Sequence, residues 1–202
     1  DGLALARLCR RAENDFVGMP CGIMDQITVA SGRQGKLTHI LCRPGNILGE
    51  VEIPPGTAFV GINSMVKHSV AGAAYSDVRI GAFMGKRIIN HWRAKNGASP
   101  MQYLTEVTVD EFEKAYRHQL PETLIGSEFL SQYQTHDDPI TQVQQDAVYR
   151  VLGPTTHPVY ENHRVLKFME HMKAAASKDE NAKRAAGDGM FQAHDSYKNN
   201  CW

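Results

Sequence analysis

The sequence has no surplus of either charge and no long apolar run. Its 22 Lys and Arg residues balance 22 Asp and Glu residues, so the formal net charge is zero. A protein that coats nucleic acid needs a basic surplus to displace counterions, so we expect no nucleic-acid partner. The longest stretch without a charge, residues 53–66, is interrupted by prolines and glycines and is too short to cross a bilayer. We therefore expect no membrane partner either.

Cysteine is scarce, and its spacing matches no metal site or disulfide framework. The four residues are Cys9, Cys21, Cys42 and Cys201. No two of them form a Cys-x-x-Cys pair, and the histidine-containing segments 136–138 and 157–163 lack the spacing of tetrahedral zinc ligands. We therefore expect no metal site, reduced thiols and a cytoplasmic location.

Hydrophobic periodicity predicts a mostly helical chain with strands near its start. A period of 3.6 residues indicates helices over 3–14, 23–30, 69–92, 109–118, 127–134, 160–176 and 180–199. Short runs rich in Ile, Val, Leu, Thr and Phe indicate strands over 36–42, 48–53 and 57–63. In the first helix, the predicted apolar face consists of Leu5, Leu8, Cys9 and Ala12. The pattern is typical of an α+β protein, with a boundary near Gly56.

The segment 16–26, FVGMPCGIMDQ, is a Gly- and Pro-rich loop that enters a predicted helix. Asp25 lies in the first turn of that helix, where unpaired amide N–H groups favour a negative charge. Gly22 has no side chain, so a ligand could lie directly against its backbone. Spacing alone favours the simpler interpretation, in which Asp25 only stabilises the start of its helix.

The same segment resembles the galactokinase branch of the GHMP small-molecule kinases, in which such a loop holds the sugar and supplies the catalytic aspartate. A second motif follows in the expected order, with NSMVKHS at 63–69, AAY at 73–75 and VR at 78–79. The resemblance implies an α+β fold with the two-domain GHMP architecture, incomplete at both ends. Residues 1–56 would end a ribosomal S5 domain 2-like N-terminal domain, and residues 57–202 would belong to a helix-rich C-terminal domain.

The resemblance also implies roles for single residues. Asp25 would be the base or the electrostatic anchor for the attacking sugar hydroxyl, and Gly22 would contact the sugar through its backbone. Tyr75 would border the same pocket, although an ordinary interfacial tyrosine is the alternative. Lys67 matches the position of a basic residue near the active site of relatives, although a solvated lysine after a strand is the alternative.

Later segments, including 120–130, 136–141 and 157–165, look more like L-arabinokinases than like galactokinases. The implied activity is ATP-dependent phosphorylation of the anomeric hydroxyl of a monosaccharide, L-arabinose first and D-galactose second, with Mg²⁺ bridging the phosphates. The family's phosphate loop, its early sugar-binding motif and its late Gly-rich motif are not found in residues 1–202, so we expect the isolated chain to be inactive. The alternatives are a non-catalytic sugar sensor and a helical interaction module whose motif matches are accidental.

Overall fold

The computed structural model describes residues 1–18, 21–63, 65 and 73–201, and these residues divide into two compact units. The described residues of Asp1–Ala71 and Lys167–Gly189 form the first unit, and those of Gly72–Leu166 and Met190–Trp202 form the second. Mixed helices and small sheets agree with the predicted α+β class. The domain boundary near Gly56 stays a prediction.

The first unit combines two helices with a two-stranded antiparallel sheet. Helix α1 spans Gly2–Ala12 and continues as a wider π-helical turn over Glu13–Val17. Helix α2 spans Met24–Ser31, and strands β1 (Lys36–Leu41) and β2 (Asn46–Glu52) pair antiparallel. The first two predicted helices and the first two predicted strands are therefore confirmed to within a few residues.

Two small clusters of apolar side chains stabilise the first unit. Helix α1 contacts α2 through buried Ala6, Ile23 and Ile27. The second cluster joins β2 to the helical residues of this unit near the end of the chain, and its buried members are Val51, Met172 and Ala186. Ala6 is small enough for the backbones of α1 and α2 to approach closely, so the two isoleucines can be covered completely.

The predicted apolar face of α1 is wrong. Leu5 and Leu8 are 55% and 62% exposed, and Cys9 and Ala12 are exposed as well. The helix instead turns the side with Ala6 towards the core, because a small residue permits tighter helix packing than a row of leucines does. The 3.6-residue period was present in the sequence, but it did not indicate which of two apolar sides is covered.

The predicted third strand at 57–63 is also wrong. In the part of the chain that the structure describes, these residues pair with no strand, and Val60 and Ile62 are 81% and 91% exposed. A β-strand is stabilised by hydrogen bonds to a neighbour, and alternating β-branched residues cannot supply that neighbour. Phe59 alone of this run packs against a ring, that of Phe168, with centroids 6.5 Å apart.

The second unit is a helical assembly with one very short sheet. In chain order the elements are α3 (Ala73–Lys95), a 3₁₀ turn (Leu104–Glu106), α4 (Val109–Glu111) with its π and 3₁₀ continuations (Phe112–Tyr116 and Arg117–Gln119), β3 (Thr123–Ile125), α5 (Gly126–Tyr133), β4 (Val148–Arg150), α6 (Leu152–Ala176) and α7 (Glu180–Cys201). Helices α6 and α7 contribute residues to both units. Strands β3 and β4 pair antiparallel and were not predicted, because three residues are too few to show a period.

Helix α3 forms the centre of the second unit's core. Ile80, Met84 and Ile88 lie buried along one side of it. A Cβ on Gly81 would collide with the backbone carbonyl of β4, and one on Gly85 would collide with a side chain of α6. These two glycines therefore let β4 and α6 approach the backbone of α3.

Helix α6 begins at Leu152, not at residue 160 as predicted. Pro154 is compatible with this start because the first turn of a helix needs no N–H donor at that position. The Thr155 hydroxyl donates to the Val151 carbonyl at 2.7 Å and adds a hydrogen bond to the same turn, while Pro158 lies within the helix. Neither α6 nor any other helix among the described residues is both long and apolar enough to cross a membrane.

A bidentate ion pair joins α3 to the segment after α5. Nε and Nη2 of Arg79 donate to the two carboxylate oxygens of Asp138 at 2.6 and 2.8 Å, and the Asp138 side chain is fully buried. The Thr141 hydroxyl donates to the same carboxylate at 2.6 Å. Burial alone would raise the pKa of Asp138, but these hydrogen bonds and the positive charge of Arg79 lower it to about 2.

Replacing Asp138 with Asn should destabilise the protein, because Arg79 would lose the charge that compensates its burial. We expect the free energy of unfolding at pH 7, measured by urea denaturation, to fall by about 2–3 kcal/mol. A carboxyl group with a lowered folded-state pKa stabilises the protein above its unfolded pKa and loses that contribution as the pH falls. The difference between wild type and Asp138→Asn should therefore shrink between pH 3.8 and about 2.

Asp110→Asn is the matched control for this experiment. Asp110 pairs with Lys114 one turn away on an exposed helical surface, where an ion pair contributes little. Equal losses of stability in the two variants, or a loss in Asp138→Asn that does not change with pH, would contradict the role assigned to the buried pair.

Candidate functional site

Helix α2 presents Asp25 to solvent because its other side is anchored in the core. Ile23 and Ile27, about one helical turn apart, are 1% and 0% exposed. At 3.6 residues per turn, a residue two positions after Ile23 lies on the opposite side of the helix. Asp25 occupies that position, is exposed, and lies in the first turn of α2. The predicted location of Asp25 is confirmed, and its catalytic role stays a prediction.

Gly22 leaves the backbone open directly before α2. Its position is exposed, and a Cβ built on it would meet no atom of the described part of the chain within 4 Å. The N-cap residue of the helix, Ile23, has an apolar side chain, so it cannot cap the amide groups of the first turn. Gly22 and the first amide groups of α2 therefore form a backbone surface suited to a ligand with hydroxyl or anionic groups.

Two side chains of the π-helical turn contact the loop on either side of Gly22 and Asp25. The Asn14 side-chain oxygen accepts a hydrogen bond from the backbone N–H of Cys21 at 3.0 Å. The Glu13 carboxylate accepts one from the Gln26 side-chain amide at 2.9 Å. Hydrogen bonds from Gln26 and then Cys21 lower the pKa of the Glu13 carboxyl, which keeps it ionised at neutral pH. We call Glu13 and Asn14 the clamp.

The thiol of Cys42 responds to the charge of Asp25. Burial of part of the group raises the pKa of the Cys42 thiol, and the negative charge of Asp25 raises it further. The residue as a whole is nevertheless exposed. The ionisation of this thiol therefore reports on the Asp25 carboxylate.

Tyr75 lies in the second unit, near the start of α3, and is half-buried. Burial would lower the pKa of Arg79, but the hydrogen bonds and charge of Asp138, with a smaller contribution from Tyr75, raise it. Tyr75 therefore interacts with a guanidinium group that the ion pair to Asp138 already holds in place.

The structure brings two of the predicted site residues together, Gly22 and Asp25, both in the first unit. Tyr75 belongs to the second unit, and Lys67 lies outside the described residues. The sequence analysis missed Cys42, for which the chain pattern contains no signal.

The sequence analysis also missed the clamp, for which a signal was present. Glu13 and Asn14 are adjacent hydrogen-bonding residues at the end of a helix and directly before a Gly- and Pro-rich loop. Side chains at such a position can accept hydrogen bonds from the amide groups of the loop that follows. The sequence therefore pointed to loop contacts, but not to the partners Cys21 and Gln26.

One cavity in the second unit is unrelated to these residues. It has a volume of about 190 Å³, and its lining residues are Arg87, Asn90, Thr135, His136 and Asp137. Small-molecule pockets usually begin at about 300 Å³, and no predicted site residue lines this one. Within the described ranges, no three His, Cys, Asp or Glu side chains are grouped so that they could hold a metal ion. No described residue is assigned to Mg²⁺ or to ATP.

Comparison with known proteins shows relatives along almost the whole chain. The chain is 36% identical to the L-arabinokinase of Arabidopsis thaliana, over 96% of its own length and 21% of that protein. It is 34% identical to the galactokinase of Roseiflexus sp. over 61% of its length and 30% of that protein. It is 29% identical to the galactokinase of Glaesserella parasuis over 96% of its length and 40% of that protein.

The chain thus spans well under half the length of these relatives, and no family model matches it. The matched relatives are L-arabinokinases and galactokinases, which both belong to the GHMP kinases. The resemblance seen in the motif at 16–26 is therefore accompanied by similarity across the remainder of the sequence. The chain belongs to the GHMP kinase family.

Proposed function

We propose that the protein is a sugar kinase that transfers a phosphoryl group from ATP to the anomeric hydroxyl of a monosaccharide. The observation that supports this most directly is the exposed carboxylate of Asp25 beside the open backbone of Gly22, in the motif shared with the family. L-arabinose is the first candidate substrate, because over 96% of the chain the identity is 36% to an L-arabinokinase and 29% to a galactokinase. D-galactose is the second.

Asp25 suits the role of base or electrostatic anchor for the attacking hydroxyl. Phosphoryl transfer passes through a loose transition state, so positioning and charge contribute more than strong proton abstraction does. A carboxylate held at the start of a helix and open to solvent can accept a hydrogen bond from a sugar hydroxyl. Gly22 would let the sugar approach the backbone closely enough to be oriented by it.

The remaining assignments belong to the same proposal. Tyr75 would border the sugar, and Lys67 would supply positive charge near the reacting groups. Residues 1–56 would be the end of the N-terminal domain of the kinase, and residues 57–202 part of its C-terminal domain. ATP would be the phosphoryl donor with Mg²⁺ on its phosphates, in a cytoplasmic enzyme.

Asp25→Asn should reduce sugar-dependent turnover in the full-length protein by roughly 100-fold or more, because the hydroxyl loses its charged partner. Turnover is measured as ADP release with a panel of pentoses and hexoses, L-arabinose and D-galactose among them. Asp188→Asn is the control, since Asp188 is an exposed aspartate on α7. Nearly normal turnover of Asp25→Asn would show that its role is wrongly assigned, and sugar binding without any turnover in the parent protein would favour a sensor.

Gly22→Ala should raise the KM for the sugar by roughly tenfold and leave the KM for ATP unchanged. The added methyl group meets no atom of the described residues, so the change is directed at the space that a ligand would occupy. Gly187→Ala, also at a glycine with open surroundings, is the control. The free energy of unfolding is measured for both variants. An unchanged sugar KM for Gly22→Ala would remove Gly22 from the substrate site.

Asp25→Asn should also increase the alkylation rate of Cys42 by roughly two- to threefold at pH 8, because the thiol pKa falls when the neighbouring charge is removed. Iodoacetamide labelling, read by mass spectrometry of the separate peptides, measures this without any enzyme activity. Cys9 is the internal control, and 1 M salt should reduce the difference. Equal Cys42 rates in the two proteins would mean that the Asp25 carboxylate lies away from the thiol.

A further inference from the structure

One helical turn holds Cys21, directly before Gly22, and Gln26, in the first turn of α2. Helix α1 does not simply end at Ala12 but widens into a π-helical turn that stops at Gly18, where φ is 73°. Such a turn inserts an extra residue into the helix and changes the direction of the side chains that follow, and π-helical turns are often found at functional sites. Here the widened turn begins with the two clamp residues, Glu13 and Asn14.

We propose that the clamp positions Gly22 and Asp25 for phosphoryl transfer, an inference that rests on the sugar-kinase function proposed above. Asn14 holds the backbone of Cys21, the residue directly before Gly22. Glu13 holds the side chain of Gln26, the residue directly after Asp25. In this proposal the clamp residues are positioning residues that act through Cys21 and through the first turn of α2.

The contacts of Gln26 indicate that Glu13 determines how this side chain is oriented. The Gln26 side-chain nitrogen donates to Glu13 at 2.9 Å and also approaches the Cys21 sulfur at 3.9 Å, which is a weak acceptor. The Gln26 side-chain oxygen is buried and has no hydrogen-bond partner among the described residues. Loss of the Glu13 carboxylate would therefore leave the Gln26 amide without a strong hydrogen bond.

The packing of α2 does not depend on the clamp. Ile23 and Ile27 are almost completely buried against α1, whereas the clamp hydrogen bonds lie in partly buried surroundings and involve polar groups only. Removal of a clamp residue should leave Ile23 and Ile27 packed and let the loop residue Cys21 and the first turn of α2, which carries Asp25, shift. A displacement of about 1 Å is enough to reduce the rate of a reaction that depends on orientation by roughly 100-fold.

The test uses paired variants of the full-length protein. Glu13→Ala and Asn14→Ala remove the acceptor atoms, whereas Glu13→Gln and Asn14→Asp keep a side-chain oxygen in the same place. We expect the two alanine variants to lose roughly 10- to 100-fold in kcat with the KM for ATP unchanged, and the two conservative variants to keep most of the activity. Asp15→Ala is the control, because Asp15 is an exposed residue of the same turn.

Hydrogen–deuterium exchange of the peptide that contains residues 21–26 provides a second measurement that needs no activity. The backbone amide of Cys21 should exchange roughly tenfold faster in Asn14→Ala, and Asn14→Asp should restore its protection. Protection of α2 after its first turn, at residues 27–31, should be unchanged in every variant, which separates a local shift from an unfolded unit.

The results decide whether the clamp holds the loop and whether it positions Gly22 and Asp25. Alanine variants that lose no more activity than Asp15→Ala, or conservative variants that lose as much as the alanine variants, would overturn the positioning role. Unchanged exchange at Cys21 in Asn14→Ala would overturn the clamp itself. A parent protein without sugar-dependent turnover would contradict the proposed function, whereas the exchange measurement would still decide whether the clamp holds the loop.

Discussion

The burial of two isoleucines determines the direction of every other side chain in the candidate site. Ile23 and Ile27 face Ala6 of α1, and the helical period then turns Asp25 towards solvent. Gly45, in the turn between β1 and β2, also lies against the Ile23 side chain. At Gly45, where φ is +99°, a Cβ would lie 3.1 Å from the Ile23 side chain, so this approach requires glycine. One apolar side chain therefore meets α1 and the sheet turn at the start of the helix that exposes Asp25.

In the second unit, a buried ion pair fixes the direction of the side chain with which Tyr75 interacts. Arg79 and Asp138 are separated by 59 residues in the chain and form a bidentate ion pair. Arg79 also interacts with Tyr75, one turn earlier on the same helix. Because the Asp138 carboxylate stays ionised down to about pH 2, the guanidinium group that Tyr75 contacts remains fixed across the physiological range. A tyrosine held in this way is a better border for a sugar than one with free rotation, because less conformational freedom is lost on binding.

Local signals in the sequence were sufficient for the parts of the fold that depend on local order. The spacing of apolar residues predicted α2 and α3, and the Gly- and Pro-rich motif predicted where Asp25 would lie. The same kind of signal failed at 57–63, where β-branched residues have no described neighbouring strand, and at the start of α6, which is Leu152 instead of residue 160. At 57–63 the outcome depends on which segment lies alongside, and the residues themselves do not encode that.

In the candidate site, too, some features could be predicted from the sequence and others could not. Gly22 and Asp25 could be predicted because a helix start and a glycine have direct local consequences for the backbone. The pairings of Glu13 with Gln26 and of Asn14 with Cys21 could not, because a π-helical turn has no distinct composition and its effect on side-chain direction appears only in three dimensions. The residues that determine whether the loop exists were therefore visible in the sequence, and those that determine its conformation were not.

A loop that contains an exposed glycine and is proposed to hold a ligand has two opposing requirements. An open glycine lets a ligand approach the backbone, but it also gives the chain more conformations to lose when the ligand binds. The proposed reaction depends on orientation more than on strong acid–base chemistry, and in that proposal little such freedom can be tolerated at Asp25. Hydrogen bonds at Cys21 and Gln26 restrain the residues on either side of Gly22 and Asp25 and leave Gly22 itself exposed. The exposed glycine is thus compatible with a defined position for Asp25 because the restraint acts on its neighbours.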